Sequence, residues 1–435
     1  MMVAIAEVYQ NLGLYQRADG LLQNALEIQS KRLGTRSREY LKTLLQLGLV
    51  RMNEGRYEEA RPLLRNGLDT AREVGGAESA IYANALLLSA RLDGLELRVD
   101  DAIRIYPECV ELHRKLYGED SLELALALND YGLALYEKKD YKGAEKIQRQ
   151  ALALRQARLD LYHPDVSESL NNLAIVLTDS GQFSEAEPIA LQVLEVDRKI
   201  YGERHPYIGT DLNNLAMLYQ FRGDFAKAES IHREALAVRA EAVGQQHPEY
   251  GISLSNISKA QLGLKKFAEA EQSQRAAIVV FEKVYGPRNP RVAASYNMLG
   301  SIYASQERLG DARRAFEEAL RLYEGMQQHH TTTKAETLLG LGRVRLRQGE
   351  AAVAEALLRQ ALELASGYLD EGHWRLGWMK TVLADALARQ GKWGDTKALV
   401  AEAEPLLIKV RGEDGVELRT IRRLKAEIAA ADFRR

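Results

Sequence analysis

Residues 163–187 read HPDVSESLNNLAIVLTDSGQFSEAE, and residues 205–229 read HPYIGTDLNNLAMLYQFRGDFAKAE. The two stretches align without a gap at an offset of 42 residues. A fixed period of roughly 20 to 50 residues is the sequence signature of a repeat architecture. The repeat therefore takes precedence over a division of the chain into domains by length alone.

The period continues without an insertion or deletion from Gly13 to Gly391. We call a position that recurs every 42 residues a station of the repeat. The most regular station holds a small residue in every copy: Ala18, Ala60, Ala102, Ala144, Ala186, Ala228, Ala270, Ala312, Ala354 and Thr396. A ring stands three residues earlier in seven of the ten copies: Tyr15, Tyr57, Tyr141, Phe183, Phe225, Phe267 and Trp393. We expect the small residue to lie where two helices approach most closely, and the ring to fill the gap between neighbouring repeats.

Each repeat has the pattern of two helices. Apolar residues within 170–177 fall at i, i+3, i+4 and i+7, which is the spacing of one helical face. Gly181 breaks this helix, and Ser184 with Glu187 has the spacing of a capping box that would begin the second helix. Gly202 is predicted to end the second helix in a left-handed conformation. Proline then marks the turn into the next repeat, at His163-Pro164, His205-Pro206, His247-Pro248 and Asn289-Pro290.

Composition excludes several functional classes. The 435 residues include 59 Lys and Arg against 61 Asp and Glu, so the formal net charge is −2 and no nucleic-acid partner is expected. Cys109 is the one cysteine, which excludes an intrachain disulfide and a multi-cysteine metal site, and we expect it in the core. No apolar run reaches the ~18 residues of a membrane span, and no signal peptide is evident. We predict a cytoplasmic protein with no cofactor and no metal.

The repeated motifs resemble the tetratricopeptide repeat in its 42-residue, kinesin-light-chain-like form. This resemblance implies an all-α fold, a right-handed α-solenoid of about ten stacked helix-turn-helix units with a C-terminal capping helix at 416–433. We expect one solenoid over residues 1–435. Its repeats are centred on turns at about residues 13, 55, 97, 139, 181, 223, 265, 307, 349 and 391.

Two shorter stretches carry a narrower resemblance. Residues 7–15, EVYQNLGLY, and residues 372–376, GHWRL, are similar to the opening and the close of the repeat arrays behind bacterial serine/threonine protein kinases. The kinase catalytic motifs do not occur in the sequence. The resemblance implies a regulatory or docking array, either separated from such a kinase or free-standing. In a membrane-spanning kinase the region would be periplasmic. Met1 falls inside the predicted first helix of the first repeat, which indicates either a truncated repeat or a slightly short terminal helix.

A ladder of asparagines runs through the predicted first helices. One phase of the repeat holds Asn129, Asn171, Asn213 and Asn297, and the adjacent phase holds Asn172, Asn214 and Asn256. Side-chain amides both donate and accept hydrogen bonds, which suits the backbone of an extended peptide. The resemblance implies that these residues line a concave groove and contact a peptide. Alternatively, they bond neighbouring helices, and the sequence supports both interpretations.

Lys259 and Arg343 share a further phase, one helical turn beyond the first group of asparagines. With the asparagines they complete the predicted peptide-binding set. The sequence thus predicts a non-catalytic scaffold that binds a protein or peptide segment; the kinase-associated region is the alternative, and self-association through the terminal repeats is a further mode. Trp374, Trp378 and Trp393 form either a terminal hydrophobic plug or an aromatic docking pocket.

Overall fold

A computed structural model describes residues 1–324, 326, 331–411 and 416–433. Every regular element in these ranges is an α-helix, which confirms the predicted all-α class. The helices alternate between a first and a second helix of each repeat. Two compact halves are distinguished, Met1–Glu203 and Arg204–Arg435, here called the N-terminal half and the C-terminal half.

The N-terminal half contains ten helices, in which odd numbers are first helices and even numbers are second helices. They are α1 (Met2–Asn11), α2 (Tyr15–Leu33), α3 (Arg38–Asn53), α4 (Tyr57–Gly75), α5 (Ala80–Leu95), α6 (Val99–Tyr117), α7 (Leu122–Glu137), α8 (Tyr141–Arg158), α9 (Pro164–Asp179) and α10 (Phe183–Tyr201). Each helix packs against the next one along the chain.

The described part of the C-terminal half continues the alternation. Its helices are α11 (Pro206–Arg222), α12 (Phe225–Ala242), α13 (Pro248–Gly263), α14 (Phe267–Tyr285), α15 (Pro290–Ser305), α16 (Leu309–Tyr323), α17 (Thr331–Arg347), α18 (Ala351–Ser366), α19 (Trp374–Ala388), α20 (Trp393–Arg411) and α21 (Val416–Phe433). The last helix, α21, packs on both α19 and α20.

Packing at the small-residue station follows the prediction. All nine alanines and Thr396 have a relative exposure of 0%, so a larger side chain would push the helices apart. The ring at the start of the second helix fills space between repeats, as Phe225 of α12 illustrates. Its ring lies against Gly263 of α13 so closely that a Cβ atom at Gly263 would be 2.5 Å from it.

The turns between repeats combine a side-chain cap with a proline. The Nδ1 atom of His163 accepts a hydrogen bond from the backbone N–H of Asp165 at 3.2 Å, and Pro164 occupies the first turn of α9. His205 and His247 cap α11 and α13 in the same way. Gly202 has the predicted positive φ of 84°, but its ψ of 164° is extended, a combination that is open essentially to glycine alone.

The predicted capping box is wrong. Helix α10 begins at Phe183, one residue before Ser184, and the N-cap residue is Gln182, whose side chain makes no capping bond. The backbone closes this turn instead, because the N–H of Gln182 donates to the oxygen of Leu177 at 2.8 Å. The aromatic ring is thereby the first helical residue, which leaves Ser184 inside the first turn.

Ion pairs at a spacing of 37 residues join some successive repeats, and each pairs a largely buried acid with a more exposed base. The acid follows the invariant small residue of one second helix, and the base precedes the next second helix. Examples are Asp19 with Arg56 at 3.0 Å in the N-terminal half, and Glu229 with Lys266 at 2.7 Å in the C-terminal half. Glu355 with Lys392 at 2.5 Å repeats the arrangement.

Candidate functional site

First helices of successive repeats contact one another within each half. In the N-terminal half α3 meets α5, α5 meets α7, and α7 meets α9; in the C-terminal half the contacts run from α13 through α15, α17 and α19 to α21. The side chains of these helices therefore form one shared face within a half. The predicted site residues all lie on first helices, namely α7, α9, α11, α13, α15 and α17.

In the N-terminal half the asparagine ladder is a hydrogen-bonded link between α7 and α9. Asn172 Nδ2 donates to Asn129 Oδ1 at 3.0 Å, and Gln148 Nε2 of α8 donates to the backbone oxygen of Asn129 at 3.0 Å. Asn129 is only 1% exposed. Its side chain thus connects helices, whereas Asn172 is half-buried and borders solvent.

The C-terminal half repeats this link between α11 and α13. Asn256 Nδ2 donates to Asn213 Oδ1 at 2.7 Å, and Asn213 Nδ2 lies 3.6 Å from the sulfur of Met217. Both asparagines are 8% exposed. Asn171, which precedes Asn172, and Asn214, which follows Asn213, are half-buried, and each takes part in further interactions.

A cavity of about 350 Å³ opens among the first helices α13, α15 and α17. Three of the predicted residues, Asn256, Lys259 and Asn297, lie in its wall. The remaining lining combines apolar, hydroxyl and charged side chains: Ile252, Ser255, Phe281, Arg291, Ala294, Ser295, Met298, Thr333 and Glu336. The cavity therefore brings together amides, two cations and one carboxylate above an apolar base.

Lys259 is the unusual charge of this cavity. Its ammonium lies 3.5 Å from Asn256 Oδ1, and it forms no ion pair with any residue that the structure describes. Lys259 is an exposed residue, so solvent screens part of its charge. Desolvation by the surrounding protein lowers its pKa, and the negative charge of Glu336 opposes that effect. Such a cation gains stability when an anion is placed beside it.

Sequence reasoning missed Arg291, Thr333 and Glu336. The sequence contained a signal for Glu336. Ile252 of α13, Ala294 of α15 and Glu336 of α17 occupy the same position of the 42-residue repeat, one helical turn before the first group of asparagines. Extending the 42-residue phase by one turn would have placed it on the shared face.

Arg343 is on the shared face but not in this cavity. Its guanidinium lies 5.5 Å from the centre of the Trp378 ring, within the range of a cation–π contact. Burial lowers the pKa of Arg343, and among the described residues none forms an ion pair with it. Trp374, Trp378 and Trp393 are half-buried and pack against the apolar core of α20 and α21.

Within the described ranges, no group of three or more His, Cys, Asp or Glu side chains is arranged to hold a metal ion. No described helix combines the length and the apolar character that crossing a membrane requires. Cys109 is fully buried, and burial raises the pKa of its thiol to about 12.

Solved structures that align with TM-scores above 0.5 share this fold. Yeast Tom70 aligns over 100% of this chain and 89% of its own, with 16% identity and a TM-score of 0.55. The apo form of the quorum sensor NprR from B. thuringiensis aligns over 85% of this chain and 99% of its own, with 16% identity and a TM-score of 0.57. A putative kinesin light chain from Podosopora anserina, with nearly identical TPR-like repeats, aligns over 49% of this chain and 100% of its own, with 20% identity and a TM-score of 0.42.

A comparison with curated protein sequences gives no significant match. The tetratricopeptide-repeat family model matches at residues 95–157, 165–241, 210–278 and 249–325, which together cover more than half of the chain. The matched segments lie within the stretch from Gly13 to Gly391 that carries the 42-residue period. The chain belongs to the tetratricopeptide-repeat family.

Proposed function

We propose that the chain is a non-catalytic scaffold that binds a peptide segment of a partner protein on the shared face of its first helices. Tetratricopeptide-repeat proteins are protein-interaction scaffolds. The observation that carries the proposal for this chain is the cavity around Lys259, where a cation without an ion-pair partner meets the amides of Asn256 and Asn297.

The asparagines then divide into two roles. Asn129, Asn213 and Asn256 are buried and hydrogen-bonded across repeats, so they hold the first helices in register. Asn171, Asn172, Asn214 and Asn297 are half-buried, and with Lys259 and Arg343 they are the proposed contact residues. Their amides suit peptide groups, and the two cations suit a carboxylate.

The test is a peptide array probed with the purified chain and with two variants. Lys259→Met removes the cation from the cavity. Lys283→Met is the matched control, because Lys283 is an exposed lysine of the second helix α14 without an ion pair among the described residues. We expect carboxylate-bearing peptides to lose about tenfold or more in affinity with the first variant only.

Melting temperatures of both variants should equal that of the parent chain, since neither lysine forms a described ion pair. Equal peptide binding by the parent and Lys259→Met would contradict a site at the cavity. Loss of binding together with loss of fold would assign Lys259 a structural role.

The kinase-associated alternative is supported by residues 7–15 and 372–376 alone. The reading frame upstream tests it: a kinase domain fused or adjacent there would favour a docking region, and an unrelated gene would favour a free-standing scaffold.

A further inference from the structure

One repeat breaks a rule that the other nine obey. The 42-residue period aligns a large apolar residue of the first helix in nine of ten copies: Ile5, Leu47, Tyr131, Leu173, Leu215, Ile257, Leu299, Leu341 and Leu383. The third copy carries Ser89 at this station. Leu47, Leu173 and Leu341 show the usual role of the position, since they are 2%, 1% and 4% exposed.

A cleft lies where this side chain is missing. It has a volume of about 410 Å³ and is bounded by α4, α5 and α6 of the N-terminal half. Buried Leu64 and Leu92 and half-buried Leu68 and Ile105 form its apolar base. The Ser89 hydroxyl oxygen is buried in its wall and has no hydrogen-bond partner in the described structure. We call this space the Ser89 cleft.

Arginines surround the Ser89 cleft. Arg61 pairs with Glu96, Arg98 pairs with Asp93 and Glu96, and Arg104 pairs with Asp101. Arg65 also lines the cleft, is exposed, and forms no ion pair with any described residue. Four arginines therefore face three carboxylates, and the unpaired charge is at the edge of the apolar base.

We propose that the Ser89 cleft binds a segment of a partner protein in which a leucine-sized apolar side chain is flanked by carboxylates. The apolar side chain would fill from outside the space that the chain's own leucine fills in other repeats, and this burial is the main source of affinity. Arg65 would pair with a flanking carboxylate.

This surface differs from the one under the proposed function. The Ser89 cleft involves the second helices α4 and α6, whereas the Lys259 cavity lies among first helices. The two proposals therefore stand or fall separately, and a variant of one site leaves the other intact.

The test uses the full chain and a fluorescein-labelled probe, acetyl-Glu-Asp-Leu-Glu-Asp-amide, with a second probe in which alanine replaces the leucine. Ser89→Leu restores the residue that other repeats carry and closes the cleft from inside. We expect it to reduce affinity for the leucine probe by at least about tenfold. It should also raise the melting temperature by about 2 to 4 °C, because it fills a cavity.

Arg65→Glu keeps the experiment decisive if leucine fits poorly at position 89. Arg65 is exposed, so this variant should fold normally and still bind the leucine probe at least about tenfold more weakly. Arg32→Glu is the matched control, since Arg32 is an exposed arginine of α2 outside the cleft without a described ion pair, and its affinity should be unchanged.

The proposal is overturned if the parent chain binds the leucine and alanine probes equally, or binds neither. It is also overturned if Ser89→Leu and Arg65→Glu both retain the parent affinity for the leucine probe. The proposal is supported if Ser89→Leu and Arg65→Glu both weaken binding of the leucine probe while Lys259→Met binds that probe as tightly as the parent chain does.

Discussion

His232 of α12 is completely buried, and neither ring nitrogen has a hydrogen-bond partner in the described structure. Burial, with the positive charges of Lys259 and Arg239, lowers its pKa to about 4. The equivalent station is apolar and fully buried in repeats such as those of Leu22 and Leu64. Two other repeats carry buried Gln148 and Gln274 there, but each of these makes a hydrogen bond with a first helix. A polar ring without partners at a core station is a destabilising substitution.

We predict that His232→Leu stabilises the chain by about 1 to 2 kcal/mol at pH 7.5, because it removes two unsatisfied polar atoms at similar volume. The native pKa is below the unfolded value of about 6.5, so the parent loses stability as pH falls through 6.5 toward 4. The difference in free energy of unfolding between His232→Leu and the parent should therefore increase by about 2 kcal/mol as pH falls from 7.5 to 5. Urea unfolding at both pH values measures it, and a variant less stable than the parent would show that the nitrogens are hydrated.

Residues at the turns show how far single positions could be predicted. The ten turn stations all adopt positive φ, but glycine occupies only six of them. Leu97, Lys139, Lys265 and Glu307 keep the same conformation, with φ of 60°, 68°, 59° and 61°. A positive φ is unfavourable for leucine, lysine and glutamate. The residue type therefore gives no indication of a turn at these four positions, and only the 42-residue period places one there.

Among the elements, ion pairs between the acid that follows the small residue and the base 37 residues later couple one repeat to the next at four described junctions: Asp19 with Arg56, Glu229 with Lys266, Glu271 with Arg308 and Glu355 with Lys392. Glu229 of α12 illustrates how such an acid is held. Burial alone would raise its pKa, but hydrogen bonds from Lys266, Arg233 and Gln261 outweigh burial and lower the pKa to about 2. The Glu229 side chain is 9% exposed, but its partner Lys266 is 47% exposed, so solvent screens the pair from the lysine side.

We predict that Glu229→Gln destabilises the chain by about 1 to 3 kcal/mol at pH 7. The native pKa is below the unfolded value of about 4.5, so this contribution is complete above pH 4.5 and disappears as pH falls toward 2. Urea unfolding at pH 7, 4.5 and 3 should therefore show the difference between parent and variant shrinking.

Glu269→Gln is the control, since Glu269 is exposed at the start of α14 and has no described ion pair. It should change stability by less than about 0.5 kcal/mol at each pH. A constant gap for Glu229→Gln from pH 7 to 3 would refute a charge-dependent link between repeats.

Helix boundaries were predictable where backbone and side chain agree. The His-Pro turns end and begin helices as the sequence indicates, because proline has no N–H and the histidine caps the next helix. The start of α10 was not predictable in this way. The backbone N–H of Gln182 donates to the oxygen of Leu177, and this bond closes the turn without a side-chain cap. A capping motif read from Ser184 and Glu187 cannot register that bond.

At the scale of the molecule, the 42-residue period fixes which helices form and which residues share a face. It does not fix which of those residues remain accessible. Asn129 and Asn172 occupy adjacent phases and share one hydrogen bond, yet Asn129 is buried and Asn172 is half-buried. The Lys259 cavity depends likewise on Arg291 and Glu336, whose side chains meet it from two other repeats.

The Ser89 cleft illustrates the converse case. The sequence shows that Ser89 replaces a large apolar residue. Whether a cleft results depends on the neighbouring side chains, which could have filled the space. Leu64, Leu92 and Ile105 leave it open. A repeat protein therefore carries its specific features at the stations where one copy differs from the rest.

The most direct test of the scaffold proposal is hydrogen–deuterium exchange of the full chain with and without the peptide selected on the array. We predict slower exchange in α13, α15 and α17, with no change in Lys259→Met under the same peptide concentration. Protection confined to second helices, or protection that persists in Lys259→Met, would contradict binding on the shared face of the first helices.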